Sequence, residues 1–507
     1  MSTVVHLPSR NDSSEQGQEI AVTADMAEVV DAAQDALLQT GGIYQRAGQL
    51  VRVTYDPSSK PRWLQRPPRA PVLEAYSVEA LREQMAKAAT WRRGERKVLP
   101  PRWAADTLLA RGAWPFPVLE SVSDCPVLRP DGSIFDRNGY DAETGVLVSL
   151  DRGMAELSGQ IPAEPSREVA QAALQVLADP FQDFPFREAS DRAAALAIPL
   201  TLIARPLVPG PVPMFGARAP TPGSGKTLLG DTGSVIVTGR TLPRLSPGRS
   251  AGEEAKRILA LALEGTSAVL LDNVEHVFGS APLAAALTGA EVQDRLLGVN
   301  RTVTAPLRAV WVATGNNLSV KGDLARRIIP IDLDAGVELP EERQGFRYPD
   351  LLAHVRGQRP ALLAAALTVL RAFLQHQPEV DLSAFGSFEA WSSTVRACLV
   401  WLGEGDPCGG RARIREEGDP ERDQLGALLS VWHEVFGDQP ITCREILDRD
   451  HIELKDALPR PRGKEPSTAS LGYYLRRYRD RIVAGLKLEA AGEDRKRTQR
   501  WHVTRCR

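Results

Sequence analysis

The sequence predicts an α/β fold: a parallel sheet covered by helices on both faces and organised around a phosphate-binding loop. Three observations predict it. Pro220-Thr221-Pro222-Gly223-Ser224-Gly225-Lys226-Thr227 is a glycine-bearing turn that ends in a lysine and a hydroxyl. Ala268-Val269-Leu270-Leu271 is an apolar run followed at once by Asp272. Between Leu207 and Leu333 such apolar runs alternate with segments of helical spacing. This is the pattern of parallel strands buried on both faces and joined by crossover helices.

Each part of the central stretch has a chemical reason. A loop that cradles phosphates needs glycines so that backbone N–H groups can turn inward, a lysine for the β/γ-phosphates and a hydroxyl for Mg²⁺. Gly223, Ser224, Gly225, Lys226 and Thr227 supply these, although Pro220 stands where the first glycine of the full pattern belongs. Asp272 ends its strand where a carboxylate would back a Mg²⁺ ion, with Asn273 beside it. The run from Leu307 to Gly315 ends in Asn316-Asn317. Asn316 is the candidate polar sensor of the terminal phosphate and Asn317 the fallback. Arg327, with Arg326 second, is the candidate arginine that neutralises charge on a transferring phosphoryl group. Each residue also has a plainer reading: a turn after a buried strand, an ordinary turn asparagine, a surface ion pair. Their order along the chain favours the chemical one.

The chain has 507 residues, 43% hydrophobic and 25% charged, with a net charge of −2. That suits a multidomain globular protein and places any basic surface locally. The five cysteines, Cys125, Cys398, Cys408, Cys443 and Cys506, form no C-x-x-C pair. This argues against a zinc module or a disulfide framework and suits a reducing, cytoplasmic setting. No apolar run approaches membrane-spanning length, so no membrane partner is expected.

Residues 1–25 are polar and read as a flexible tail. An N-terminal α+β domain is expected over 26–160. Met26 to Leu38 has helical spacing, and Ile43 to Val53 reads as a hairpin turning at Gly48. Val78 to Thr90 is an amphipathic helix capped by Ser77, and Pro100-Pro101 opens another. Residues 161–203 read as a helical collar, with helices from Ser166 to Ala178 and Glu188 to Leu202. The core follows over 204–336. Its first strand lies in Leu207 to Ala217, a second short strand at Val235 to Val237, a helix at Ala251 to Glu264, and three strands then end at Asp272, Gly315 and Leu333. Residues 337–418 read as a helical lid and linker, and 419–507 as a separate unit.

Ala219 to Thr227, Leu271-Asp272-Asn273, Ala313-Thr314-Gly315-Asn316-Asn317 and Gly322-Asp323-Leu324-Ala325-Arg326-Arg327 together resemble the helicase half of phage and mobile-element primase-helicases, AAA+ ATPases related to superfamily 3 and minichromosome maintenance helicases. Phe346 to Leu351 and Gly386 to Trp391 look like that family's lid, and Pro130-Asp131-Gly132 with Gly139-Tyr140-Asp141 like the segment before its ATPase. The resemblance covers Val118 to Arg507 and is most specific in the core. It implies an AAA+ ATPase core using ATP and Mg²⁺, a homo-oligomeric ring (a hexamer), DNA as partner, and a separate primase or polymerase, since no primase domain is recognisable here. Asn273 departs from the family, which places a glutamate there to orient water; Glu275 is the candidate substitute.

Related helicases carry a channel hairpin between the Asp272 strand and the next. Asp294 to Thr304 reads as such a hairpin, with Arg301 as DNA contact; an ordinary surface hairpin is the alternative. In the last unit a helix is expected from Ser467 to Val483, placing Tyr474, Arg477 and Arg481 on one face. Two strands flank Arg495, Lys496 and Arg497. Helix, helix and hairpin make a winged helix. From Pro461 to Arg507 there are 13 Lys/Arg against 5 Asp/Glu, the footprint of phosphate binding; a basic protein-docking domain is the alternative. The expected function is therefore an ATP-dependent DNA helicase or replication initiator of a phage or mobile genetic element, hydrolysing ATP at the subunit interfaces of a ring to translocate on DNA. The competing reading is a DNA-binding ATP switch that remodels a partner without unwinding, which Asn273 favours. A third, a structural scaffold with a dead nucleotide site, sits poorly with Lys226, Thr227 and Asp272.

Overall fold

The computed structural model describes residues 18–55, 64–66, 69–246, 248, 250–274, 279–296, 301–316, 318, 320, 322–417, 420–460, 464–494 and 497–506. The chain divides into two compact units, Met1–Ile414 and Arg415–Arg507.

The centre of the first unit is a six-stranded sheet. Across it run Ile328–Asp332, Met214–Ala219, Val310–Asn316, Ala268–Leu271, Arg244–Leu245 and Leu64–Gln65. The first five are mutually parallel. The strands alternate their side chains between two cores, as the pleat requires. Phe215, Leu270, Val312 and Ile329 join one hydrophobic cluster. Met214, Val269, Leu271, Trp311 and Ile328 join the other. Because both faces are covered, the inner segments Ala268–Leu271 and 310–313 read in sequence as unbroken apolar runs.

The first cluster also takes in the helices Arg167–Ala178, Ala189–Ala204, Lys226–Thr238 and Leu351–His376. These four helices and the sheet thus share one core. The helix Ala251–Leu263 covers the other face. Val235–Val237, expected as a strand, is the buried last turn of the Lys226–Thr238 helix, which stops at Gly239 in the left-handed conformation. Its β-branched residues favour a strand locally, but burial on nearly every side of this helix overrides that preference. The strand in that place is Arg244–Leu245.

In the N-terminal part, Met26–Thr40, Val78–Ala88 and Arg102–Ala110 pack around a core of their own. Ser77 caps the second helix as expected. Glu19–Ala21, within the stretch read as a tail, forms a strand parallel to Thr90–Arg93, held by the buried Ile20. Leu64–Gln65 was not foreseen as a strand, yet it pairs antiparallel with Arg244–Leu245 at the edge of the main sheet.

The second unit has its own core, including Leu425, Trp432, Leu475, Leu488 and Trp501. A four-stranded antiparallel sheet takes its first strand, Ile441–Thr442, from before helices Cys443–Asp448 and Thr468–Arg477 and its other three from after them; its long hairpin is Leu486–Glu493 with Gln499–Arg505. The helix expected to reach Val483 ends at Arg477. Asp480 takes a φ of +64°, and Ile482–Val483 turns back to pair with Leu486-Lys487. Arg481 therefore lies outside the helix.

Candidate active site

In a parallel sheet the carboxyl ends of the strands collect loops at one edge, and a crevice opens where neighbouring connections diverge. Met214–Ala219 is such a strand. Its neighbours, Ile328–Asp332 and Val310–Asn316, both come later in the chain and lie on opposite sides of it. The loop leaving its carboxyl end is Pro220 to Gly225, and the helix that follows points its N-terminus into the crevice. Such a terminus offers unpaired N–H groups and the positive end of the helix dipole.

The two loop glycines are required. Gly223 and Gly225 take φ of +75° and +86°. A Cβ on Gly223 would lie 2.6 Å from Glu341 Oε2, and one on Gly225 would lie 3.2 Å from Phe184. Ser224 Oγ donates to Thr221 O at 3.0 Å, which tightens the turn. Lys226 Nζ donates to the same carbonyl at 3.1 Å, and burial holds its ammonium below the ordinary lysine range.

Asp272 follows its strand directly and is half-buried. Its Oδ1 accepts from Thr227 Oγ1 at 2.8 Å and from Thr314 Oγ1 at 2.8 Å. Thr314 Oγ1 in turn accepts the Asn273 N–H at 3.0 Å, and Val274 N donates to Thr314 O at 2.7 Å. Asn273 itself takes φ +52°, a conformation that asparagine tolerates better than most residues. A Cβ on Gly315 would lie 2.6 Å from Val274 O, so the chain after Asp272 closes against Thr314-Gly315 only because residue 315 is glycine. Asn316 is exposed and registers with Ala219, the last residue before the phosphate loop.

Thr314 and Arg244 had no role assigned from sequence. Arg244 pairs with Asp231 at 2.7 Å, and its Nε lies 3.5 Å from Asp272 Oδ2. The signal for Thr314 was a hydroxyl within an otherwise apolar strand that pairs with the acid strand. Arg244 was hidden by the misplacement of its strand.

The structure brings Lys226, Thr227, Asp272 and Asn316 to one edge. It places other candidates differently. Arg327 is only 8% exposed and donates to Ala284 O and to Thr288 Oγ1 of its own chain. Arg326, next to it, is exposed. Arg301 is exposed beyond the antiparallel pair Glu291–Arg295 and Thr302–Pro306, with Nη2 donating to Gly48 O at 3.3 Å. Glu275, Asn317, Arg495 and Lys496 lie outside the described residues. Arg497 is exposed in the turn between the two long strands of the second unit, with φ +60°. Tyr474 is half-buried against Tyr478, ring centroids 4.7 Å apart. Arg477 and Arg481 do not share a helical face, but their guanidinium groups lie 5.1 and 5.5 Å from that same Tyr478 ring. Tyr473, 69% exposed, is the aromatic that the helix turns outward.

An ATP–Mg²⁺ group would have to meet these residues, and they fit it. The loop is a cradle that side chains at 223 and 225 would fill. A hydroxyl and a carboxylate, the oxygen donors that Mg²⁺ takes, stand within hydrogen-bond distance of one another. Among the described residues no group of three or more His, Cys, Asp or Glu could hold a metal ion, so the oxygen donors here are one hydroxyl and one carboxylate. None of the described helices is long and apolar enough to cross a membrane.

No family model matches this sequence, and no curated protein does. Among solved structures the chain is similar to the apo C-terminal region of NrS-1, at 11% identity over 93% of this chain and 98% of that one, with a TM-score of 0.37. It is also similar to an SCCmec type IV Cch protein titled an active helicase (11%, 78% of this chain and 81% of that one, TM-score 0.30). A third is JCV helicase (13%, 50% of this chain and 74% of that one, TM-score 0.22). Overlaps this loose equate no residues. What the fold and the site define is a mixed α/β protein with a glycine loop, a lysine, a hydroxyl and a carboxylate at the carboxyl edge of a parallel sheet.

Proposed function

We propose that this protein is an ATP-driven DNA helicase or replication initiator, with an AAA+ type core, a helical lid and a C-terminal winged helix. The observation that carries the reading is the Thr227–Asp272–Thr314 hydrogen-bonded set beside the phosphate loop. Gly223 to Gly225 would wrap the phosphates with backbone N–H groups, and Lys226 would exchange its bond to Thr221 O for the β/γ-phosphates. Thr227 and Asp272 would hold Mg²⁺, the latter through bound water. When bound, the metal supplies charge to neutralise the leaving phosphate. Thr314 keeps the Asp272 carboxylate aimed at Thr227, and Asn316 would sense the terminal phosphate. An arginine acting on a neighbouring copy in a ring must stand on the surface. That favours Arg326 for the role, with Arg327 supporting it from within the chain. The basic C-terminal unit supplies DNA binding.

Asn273 favours a second reading, a DNA-dependent ATP switch that remodels a partner without unwinding. An asparagine cannot accept the proton of attacking water. Purified protein incubated with ATP, Mg²⁺ and forked DNA separates the two. Strand displacement supports the helicase; ATP turnover without displacement supports the switch. If Lys226→Ala turns over saturating ATP at the wild-type rate, both are wrong.

A further inference from the structure

The amino ends of the same parallel strands, opposite the phosphate loop, border a second cleft of 130 Å³. One wall is made by the turns that enter the strands, at 240–243, 264–268 and 306–308. The other comes from the N-terminal part, at Arg66, Ala70, Pro71 and Leu73 and at 120–127. Two of the arginines that line it are neutralised, Arg66 by Glu264 and Arg240 by Asp124. Arg46, Arg205 and Arg308 are not. Among the described residues none of the three has a carboxylate within ion-pair distance, and Glu120 is the one remaining acid in the lining.

Arg46 and Arg205 are 4% and 8% exposed. Their hydrogen bonds go to carbonyl oxygens. Arg46 donates to Ala262 O at 2.9 Å, Leu119 O at 3.0 Å and Pro306 O at 2.8 Å. Arg205 donates to Val208 O at 2.7 Å and Gly210 O at 2.8 Å, and Arg308 donates to Arg205 O at 2.8 Å. Carbonyls satisfy the N–H groups but carry no net charge. Burial pushes Arg46 down to about 10 and Arg205 down to about 9; the nearby Arg308 adds to both effects and Glu120 opposes them. Buried charge is expensive unless something of opposite sign meets it.

We propose that this cleft binds a small multivalent oxyanion of the phosphate class, at a site separate from the phosphate loop. Three guanidinium groups facing one carboxylate leave two positive charges, which a phosphate or pyrophosphate group would balance. Arg46 gives its N–H groups to carbonyls and would act through its charge, whereas the less buried Arg308 guanidinium, with Nη2 on Arg205 O, can turn a donor edge to such oxygens. Because Arg46 reaches carbonyls of both walls, a bound anion would also fasten the N-terminal part to the sheet.

The test uses full-length Lys226→Ala protein, in which the phosphate loop has lost its cation, so that failure here leaves the nucleotide reading untouched. Inorganic pyrophosphate should bind it saturably by calorimetry. Arg308→Gln, a change at the least buried of the three arginines, should weaken binding by about tenfold or more. Glu120→Gln, which removes the opposing charge, should tighten binding several-fold, and it reports even if the first variant folds poorly. AMP as a parallel probe tells the source: binding with the same two responses means that a phosphate ester is accepted, and binding of pyrophosphate alone means a free oxyanion. Absence of saturable binding, or an affinity that neither variant changes, overturns the proposal.

Discussion

Arg413 offers a perturbation whose size can be worked out. It sits in the helix Arg411–Glu417 and reaches three carboxylates: Glu188, Asp191 and Asp332. Asp332, on the outermost parallel strand, is shared with Arg218 of the phosphate-loop strand at 3.0 Å. Asp191 is fully buried; its oxygens also accept the Asp332 N–H and the Glu188 N–H, each at 3.0 Å. Arg413→Leu would leave Asp191 charged without a cation, while Arg218 still covers Asp332. Breaking a buried pair costs about 3–5 kcal/mol, and the cover on Asp332 points to the lower end. The cost should depend on pH. Burial raises the Asp191 carboxyl to about 6, so at pH 5 it is largely protonated and needs the cation less. Urea unfolding of wild type and variant, followed by tryptophan fluorescence at pH 8 and pH 5, should show a loss near 3 kcal/mol at the first pH and a smaller loss at the second. Adding Asp191→Asn to Arg413→Leu should recover much of the pH 8 loss. A loss below about 1 kcal/mol at pH 8, or an equal loss at both pH values, refutes the buried network as a clamp on the loop strand.

Asp191→Asn alone tests the same carboxyl from the other side. A raised folded-state value means that its contribution is most favourable below the ordinary value of 3.8 and is lost as pH climbs towards 6. The stability of wild type relative to Asp191→Asn should therefore fall by about 3 kcal/mol across that window; a flat difference rejects the shift. Arg326→Ala should abolish hydrolysis while sparing ATP binding, and should regain activity when mixed with Lys226→Ala subunits. Arg327→Ala should instead lower thermal stability through the lost bonds to Ala284 and Thr288; if the two phenotypes are exchanged, the inward placement of Arg327 misleads. The segment Asp423–Arg507 should bind duplex DNA with steep salt dependence, and charge reversal at Arg477 and Arg481 should remove most of it. Each lost phosphate contact should flatten the log–log salt slope by about 0.9, and binding indifferent to salt would reassign the unit to protein docking.

The sheet was legible because each central strand is buried on both faces, so Leu270 and Trp311 sit in unbroken apolar runs. The glycine loop and its meeting with Asp272 were legible in outline because the residues are local: glycine, lysine, hydroxyl and acid each stand next to a strand end. What escaped depends on distant partners. Thr314 matters because a crossover brings it beside Asp272. Val235–Val237 looked like a strand because its neighbours' burial cannot be seen in a window of a few residues. Arg481 was given to a helix that the turn at Asp480 ends. Arg327 was expected at a surface, and the groups that take it inward, Ala284 O and Thr288 Oγ1, are some forty residues away in the sequence.

The short strand Leu64–Gln65 has a consequence for how the molecule can be handled. An open sheet ends in a row of unsatisfied backbone groups that another chain can adopt. Here the N-terminal part lends two residues to cover the last parallel strand. Removing that part to obtain a minimal catalytic fragment would uncover Arg244–Leu245, the strand that positions Arg244 near Asp272. Such a fragment should be sticky at one flank and loosened around the Asp272 carboxylate. The segment that contributes no residue to the candidate site is then the one that shields the edge of its sheet.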